Sequence, residues 1–423
     1  MHVAIVGNGV TGVTAATRIR QKQPTWKISL ISGESTHHYS RPALMYIFMG
    51  HMMYRHTKPF EDAFWEEQRL ELIRDWVTGI DTPGKRLMLY KRQSLAYDRL
   101  LIATGSKPNR IGCVAEHLAG VQGLYGLPDL QTLYENVKHT RRAVITGGGL
   151  IGIELAEMLH GRGIEVTLLI KESSYWNRIL PPEESAMVSR IIEEQGIRLI
   201  GNTRLREILD NGSGRVGGVL TDAGERIDCD FVGTTIGVSP NIDLLRNTSI
   251  ETGRGVLVDD SFRTSVTDVF AAGDCAEIVN RNGRPNLIQQ VWYTGKLQGE
   301  VAGSVIAGEE RTYAPGIWYN SAKFFDLEYQ VYGQVNLGLP GEKNLYWEHP
   351  GGRASVRIVY TDEGVIGFNF MGARGRHRIC ERWIVEQRPL SYVLEHLDQA
   401  EFDPEFAQRV APAVRRMAKE QAA

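Results

Sequence analysis

The chain opens on the apolar run Val3-Ala4-Ile5-Val6, short enough for a strand covered on both faces, and passes directly into Gly7-Asn8-Gly9-Val10-Thr11-Gly12. Val13-Thr14-Ala15-Ala16 then predicts a helix, so three glycines at G-x-G-x-x-G spacing stand between a strand and a helix. The pattern returns from Ala143 to Thr146, followed by Gly147, Gly148, Gly149, Leu150, Ile151 and Gly152 and by the helix Ile153–Leu159. Each half predicts a second apolar strand, Lys27–Ile31 in the first and Glu165–Ile170 in the second. Further strands are expected over 75–81, 86–90, 97–102, 197–200, 217–221 and 227–232, with an amphipathic helix inside the linker 111–140. Beyond about Arg311 the pattern changes to alternating runs, 324–333, 354–360 and 365–372, with turn glycines between them and helices to the end.

The glycines imply backbone chemistry. Gly7 permits a tight turn, Gly9 lets the main chain approach a diphosphate, and Gly12 lets helix and strand pack closely, so that the helix N-terminus faces the negative charge. Occurring twice, the fingerprint points to two dinucleotide sites, and two nucleotides in one chain suggest electron transfer between them. An acid near the end of the second strand of such a unit accepts hydrogen bonds from ribose. Ser32 holds the usual position in the first half, which makes Glu34 the candidate. In the second half the place falls to Ile170, followed by Lys171, Glu172 and, further on, Arg178, which leaves the choice between NAD and NADP open. Near residue 270 a short apolar strand delivers Gly273 and Asp274, a carboxylate placed at the strand end to accept from a ligand hydroxyl.

Composition narrows the classes. With 48 basic against 50 acidic residues the net charge is −2, which gives no electrostatic case for nucleic acid or an anionic membrane surface. No run of 18 apolar residues suggests a membrane span. The four cysteines lie far apart without a C-x-x-C pair, so neither a metal site nor a disulfide framework is indicated, and a reducing cytoplasm fits. A fingerprint beginning at residue 7 leaves no room for a signal peptide ahead of it, so none is expected. His37 and His38 are read as solvated or packing residues.

Tyr39-Ser40-Arg41-Pro42-Ala43-Leu44, Ala103-Thr104-Gly105-Ser106-Lys107-Pro108, Gly237-Val238-Ser239-Pro240-Asn241 and Val269-Phe270-Ala271-Ala272-Gly273-Asp274 follow the first fingerprint in order. Together they resemble the FAD-dependent pyridine nucleotide-disulfide reductase superfamily, in particular the branch of rubredoxin and ferredoxin reductases, apoptosis-inducing factor and the flavin half of nitrite reductase. The resemblance implies that Arg41 and Pro42 lie along the flavin, that Val77 meets the adenine and that the hydroxyl meeting Asp274 is a ribityl one. It also implies that Glu154 and Gly237 border the nicotinamide, and that Trp292 or Tyr293, on the helix after Gln289, shields the isoalloxazine. Two departures are visible. Pro42 stands where coenzyme A disulfide reductases and NADH oxidases carry a redox cysteine, which excludes disulfide chemistry there, and Tyr46 replaces a lysine that many members place near flavin N5.

The expected fold is α/β, with two Rossmann-like dinucleotide-binding domains and an α+β C-terminal interface domain. The expected boundaries are 1–110 with 238–310 for FAD, 111–237 for NAD(P), and 311–423 for the interface domain, which supports dimerisation in several branches of the superfamily. The expected cofactors are FAD and NAD(P)H, with a hydride passing from the nicotinamide to the flavin and electrons leaving to a separate acceptor. Three readings stay open: a reductase for a small carrier such as a ferredoxin or rubredoxin, an NAD(P)H oxidase or quinone-type reductase, and a flavoprotein subunit whose nicotinamide site is weak.

Overall fold

The computed structural model describes residues 1–280, 285–402, 405 and 409–422, which form two compact units. Unit 1 is Met1–Ile111, Gln122–Lys138 and Ile236–Pro315; unit 2 is Gly112–Val121, His139–Thr235 and Gly316–Ala423. The stretch 122–138, expected with the second nucleotide fold, therefore lies in unit 1, and the second nucleotide sheet shares unit 2 with the C-terminal sheet.

Unit 1 is built on a parallel sheet in the order Val269–Ala271, Arg99–Ile102, His2–Val6, Lys27–Ile31, Leu70–Ile73. Its first four strands are buried on both faces along most of their length, which is why they read as apolar runs, whereas the edge strand Leu70–Ile73 exposes Glu71. The register sets Val6 beside Ile31 and Ile102, and Ile102 beside Ala271, so four strands end level. The loops that leave them, at Gly7, Ser32, Ala103 and Ala272, open on one crevice at the carboxyl edge, the place where such sheets receive ligands. A three-stranded antiparallel sheet, Val77–Asp81, Arg86–Leu89 and Ser94–Ala96, and two two-stranded sheets, Ser106–Pro108 with Val238–Pro240 and Val256–Val258 with Ala276–Ile278, belong to the same unit.

The helices Val10–Lys22 and Trp292–Ile306 cross closely because Gly295, Gly299 and Gly303 present a bare stripe. A Cβ at Gly299 would stand 2.5 Å from the Thr11 carbonyl oxygen, and one at Gly303 would stand 2.8 Å from that of Ala15. The Thr11 hydroxyl donates across the same contact to the Gly295 carbonyl, at 2.9 Å.

Unit 2 repeats the parallel sheet in the order Arg198–Ile200, Glu165–Leu169, Arg142–Thr146, Phe231–Thr234, with Val121–Gln122 at the edge. Its C-terminal part is an antiparallel sheet ordered Tyr319–Phe324, Leu327–Gly333, Val365–Met371, Ser355–Tyr360, Lys343–Glu348. Helices His377–Val385, Leu390–Glu395 and Ala411–Ala422 belong to the same part, where Trp383, Val393 and Val414 are fully buried in one core with Ile358 and Phe368. The run 324–333, expected as one strand, gives the strand Leu327–Gly333; Phe324 instead ends the preceding strand, and the chain turns between them at Phe325 and Asp326, with Phe325 in the left-handed region at φ 54°.

Candidate functional site

A cavity of about 780 Å³ lies at the carboxyl edge of the first sheet. That size sits in the upper part of the range for ligand pockets, roughly 300–1,000 Å³. Its floor is the first fingerprint, and each glycine has its own reason. Gly7 holds φ +115° and a Cβ there would fall 2.1 Å from the Ala103 carbonyl oxygen; Gly12 would place one 2.0 Å from the Gly7 carbonyl oxygen. Gly9 faces open space. As N-cap of the helix Val10–Lys22 it has no side chain to close the first turn, and that turn holds no acid, so the free amides and the positive end of the helix point at the cavity. Asn8, Val10 and Thr11 line it, and the Asn8 amide donates to the Ser35 carbonyl at 2.9 Å.

The walls bring together residues distant in sequence. Ala103, Thr104 and Gly105 follow one strand end and Gly273 and Asp274 another. Gly273 sits at φ +82° with no room for a Cβ beside Thr11. Asp274 accepts from the Ser106 hydroxyl at 2.9 Å, and that hydroxyl accepts from the Gln290 amide at 2.8 Å. Burial raises the Asp274 carboxyl, against the Ser106 hydroxyl and Arg41, which favour its charge. Neither Ser106 nor Gln290 stands out in the sequence as an anchor for that carboxylate, because the bonds join residues 168 and 184 apart.

Glu34 lines the cavity, but its oxygens are already engaged. Arg41 Nη2 meets one at 2.8 Å, while the Leu127 amide at 3.0 Å and the Tyr39 hydroxyl donate to the other. Burial opposes its charge, and these partners outweigh burial and hold the carboxyl below the usual range. Arg41 in turn donates to the Tyr125 carbonyl at 2.7 Å and lies over that ring, 4.6 Å from its centroid. Pro42, Val77 and Trp292 complete the predicted lining. His38, expected as a solvated or packing residue, is buried and lines the cavity; burial pushes its imidazole down to about 4, so it is neutral at neutral pH. Trp76 also lines it, 58 % exposed, its ring so close to Gly33 that a Cβ there would stand 2.0 Å away. No sequence motif flags Trp76 or Tyr125.

Unit 2 reproduces the cradle atom for atom in its logic. Gly147 holds φ +124° with a Cβ position 2.2 Å from the Thr235 carbonyl oxygen, Gly152 has one 2.3 Å from that of Gly147, and Gly149 is open. Leu150 and Ile151 begin the helix Leu150–His160, whose first turn again has no acid. The fully buried Tyr175 donates to the Gly149 carbonyl at 2.7 Å, pinning the cap. Glu154 is partly buried on this helix; burial, reinforced by the Glu157 carboxylate, pushes it up to about 7. Glu172 stands three residues beyond Leu169, as Glu34 stands three beyond Ile31, and these strand ends pair alike with Thr146 and Val6. Its side chain is 15 % exposed, with Arg178 Nε at 3.4 Å and Lys171 Nζ at 3.8 Å. A methyl on Gly148 would lie 3.8 Å from its Oε2, so the carboxylate adjoins the glycine turn. Gly237 belongs to unit 1, where its carbonyl accepts from the Asn109 amide at 3.0 Å.

Both cradles fit a dinucleotide on the same observations: an open glycine at the helix cap and first-turn amides left unclosed by any side chain. Among the described residues no group of three or more His, Cys, Asp or Glu could hold a metal, and no helix is long and apolar enough to cross a membrane. The sequence matches the family described as pyridine nucleotide-disulphide oxidoreductase over residues 1–295. It is 29 % identical over 310 residues to a rubredoxin-NAD(+) reductase of Pseudomonas putida, covering 73 % of this chain and 80 % of that protein. It is 30 % identical over 308 residues to the ferredoxin-NAD(+) reductase component of a biphenyl dioxygenase system of Paraburkholderia xenovorans, covering 73 % and 75 %. The crystal structure of a ferredoxin reductase from Rhodopseudomonas palustris shares the fold, with a TM-score of 0.81, 24 % identity and full coverage of both chains. The match spans both glycine cradles and the Asp274 strand end, and the chain belongs to the pyridine nucleotide-disulphide oxidoreductase family, as an oxidoreductase that uses FAD and NAD(P)H.

Proposed function

We propose that this protein takes reducing equivalents from NADH and passes them to a small electron carrier of the rubredoxin or ferredoxin type. One observation carries the reading: the chain builds the same cradle twice, with an open glycine at each helix cap. The names of the relatives in Pseudomonas and Paraburkholderia support the carrier as acceptor. Bound flavin supplies a centre that accepts a hydride and releases electrons singly or in pairs.

The residues of the chain supply binding and position. We assign the FAD diphosphate to Gly7 through Gly12, its ribityl chain to Asp274 and its adenine end to Val77. Pro42, Ala103, Thr104, Gly105, Gly273 and Trp292 form the walls. Glu34 is assigned to fixing Arg41 against Tyr125, since its oxygens already carry the Arg41, Tyr39 and Leu127 donors. The second cradle, Gly147 to Gly152 with Glu154, Lys171 and Glu172, receives the nicotinamide cofactor, and Gly237 starts the return to the flavin domain. A carboxylate at Glu172 favours a free 2′-hydroxyl over a 2′-phosphate, which supports NADH. We propose 1–110 with 238–310, 111–237 and 311–423 as the flavin, nucleotide and interface domains, with 122–138 going over to the flavin side, and the last as the seat of a homodimer. We place the protein in the cytoplasm, in keeping with four free cysteines.

Anaerobic titration of the flavin-loaded protein tests the reading. NADH is expected to bleach the yellow colour at one equivalent and NADPH to do so with a kcat/KM at least about tenfold lower, a difference of roughly 1.4 kcal/mol. Added rubredoxin or ferredoxin should restore the colour faster than air does. Colour that NADH leaves unchanged overturns the assignment, and faster return with oxygen makes the protein an oxidase.

A further inference from the structure

A second cavity, of about 510 Å³, lies in unit 1 between the helices Val10–Lys22 and Trp292–Ile306. It adjoins the first, because Val10, His38 and Trp292 line both. Its chemistry differs. Val13, Phe60 and Trp292 give an apolar wall, and three cations, Arg18, Lys296 and Arg311, face one carboxylate, Glu300. Arg18 is compensated by Glu309 at 3.1 Å. Lys296 is exposed, with its Nζ 5.7 Å from the Trp292 ring centroid, and Arg311 reaches the Ser304 hydroxyl at 3.4 Å. Among the described residues neither of these two cations forms an ion pair.

We propose that this cavity is a second ligand site, for a small organic anion with an aromatic or other flat apolar body. With Arg18 matched by Glu309, Lys296 and Arg311 against the single carboxylate of Glu300 leave the lining net positive, which favours a negative head group, and burial of the body against Trp292 and Phe60 supplies the apolar contribution. The volume falls in the range of small-molecule pockets, roughly 300–1,000 Å³. The shared Trp292 places the occupant one side chain from the cavity assigned to flavin, so a ligand here is positioned to perturb the flavin spectrum. Only that last consequence rests on the flavin reading.

Naphthalene-2-sulfonate is the probe, titrated by calorimetry into the flavin-loaded protein, with uncharged naphthalene-2-methanol as its neutral counterpart. The sulfonate is expected to bind with a stoichiometry of one and more tightly than the alcohol. The double variant K296Q/R311Q should weaken it at least about tenfold, leaving the alcohol, the flavin content and the melting curve unchanged. Phe60→Ala should weaken both probes together. Absence of saturable binding to protein that retains its flavin, or equal affinity in K296Q/R311Q, overturns the proposal. Colourless protein that still binds one sulfonate per chain would remove the flavin reading and leave this site standing.

Discussion

A methyl group on Gly9 would meet nothing within 4 Å, whereas one on Gly12 would stand 2.0 Å from the Gly7 carbonyl oxygen. The two substitutions should therefore fail in different ways. Gly9→Ala keeps a φ of −68° that alanine adopts freely, so the flavin-free protein should unfold within about 0.5 kcal/mol of the parent. Its methyl points into the space assigned to the diphosphate, and the FAD dissociation constant should rise at least about tenfold. Gly12→Ala forces backbone apart and should cost about 1–3 kcal/mol in urea unfolding without flavin present. Equal damage from both would reject the cradle as described. Glu154 offers a second residue-scale test. Its folded carboxyl, up at about 7, exceeds the ordinary value of 4.5, so it keeps its proton longer in the folded state. Its contribution is fully present below pH 4.5 and is lost as pH rises through 7. Glu154→Gln should match the parent at pH 4.5 and exceed it at pH 8 by on the order of 1–3 kcal/mol, read from urea midpoints at the two pH values. A pH-independent difference would show that burial does not govern this group.

Between helices the bare stripe of Gly295, Gly299 and Gly303 sets the distance. In isolation an alanine in the helix interior is favoured over glycine by roughly 1 kcal/mol. At Gly299 the Cβ would lie 2.5 Å from the Thr11 carbonyl oxygen, a backbone atom that cannot swing away, so the clash should win. Gly299→Ala is expected to lower stability by about 1–3 kcal/mol and to loosen flavin, since Thr11 lines the cavity assigned to it. A stabilised variant would mean the helices are not in contact there. Spacing of four makes that stripe legible once the helix is known, as G-x-G-x-x-G spacing made the fingerprints legible, because both rest on where a Cβ cannot be. Other elements left no such mark. The hairpin of Tyr319–Phe324 with Leu327–Gly333 turns at Phe325, a residue that sequence patterns do not associate with positive φ, so the run from Phe324 onward hides the turn. The strand Lys343–Glu348 alternates apolar Leu345 and Trp347 with polar neighbours over only six residues between loops, too short to separate from coil. Glu34 was legible as an acid near the strand end, yet its closure by Leu127 depends on a pairing 93 residues distant.

At the scale of the molecule, the second nucleotide sheet and the C-terminal sheet share one unit, and a buried ion cluster within it accounts for part of that cohesion. Arg357, on the strand Ser355–Tyr360, places Nε and Nη2 at 2.8 Å from the two oxygens of Glu184, on the helix Pro182–Glu194. The side chains are 5 % and 0 % exposed. Nη2 also meets Glu183 at 2.6 Å, Asn369 donates to Glu184 at 3.3 Å, and the guanidinium lies 4.6 Å from the centroid of Tyr346. Taking such charges out of water costs nearly what their attraction returns, so the pair is expected to contribute little net stability while making its own disruption expensive. Arg357→Met leaves the Glu184 carboxylate buried without its cation and should destabilise unit 2 by about 3–5 kcal/mol. Pairing it with Glu184→Met removes the orphaned charge and should recover most of the loss. Two probes separate the units: flavin release reports the cavity of unit 1, and the Trp383 environment reports the core of unit 2. Only the second should shift in the single variant. A loss of equal size in single and double variants would mean that the cluster acts through packing and not through charge. A flavin-release midpoint that moves with it would mean that the two units unfold as one, and that the fold depends on this pair well beyond the sheet that holds it.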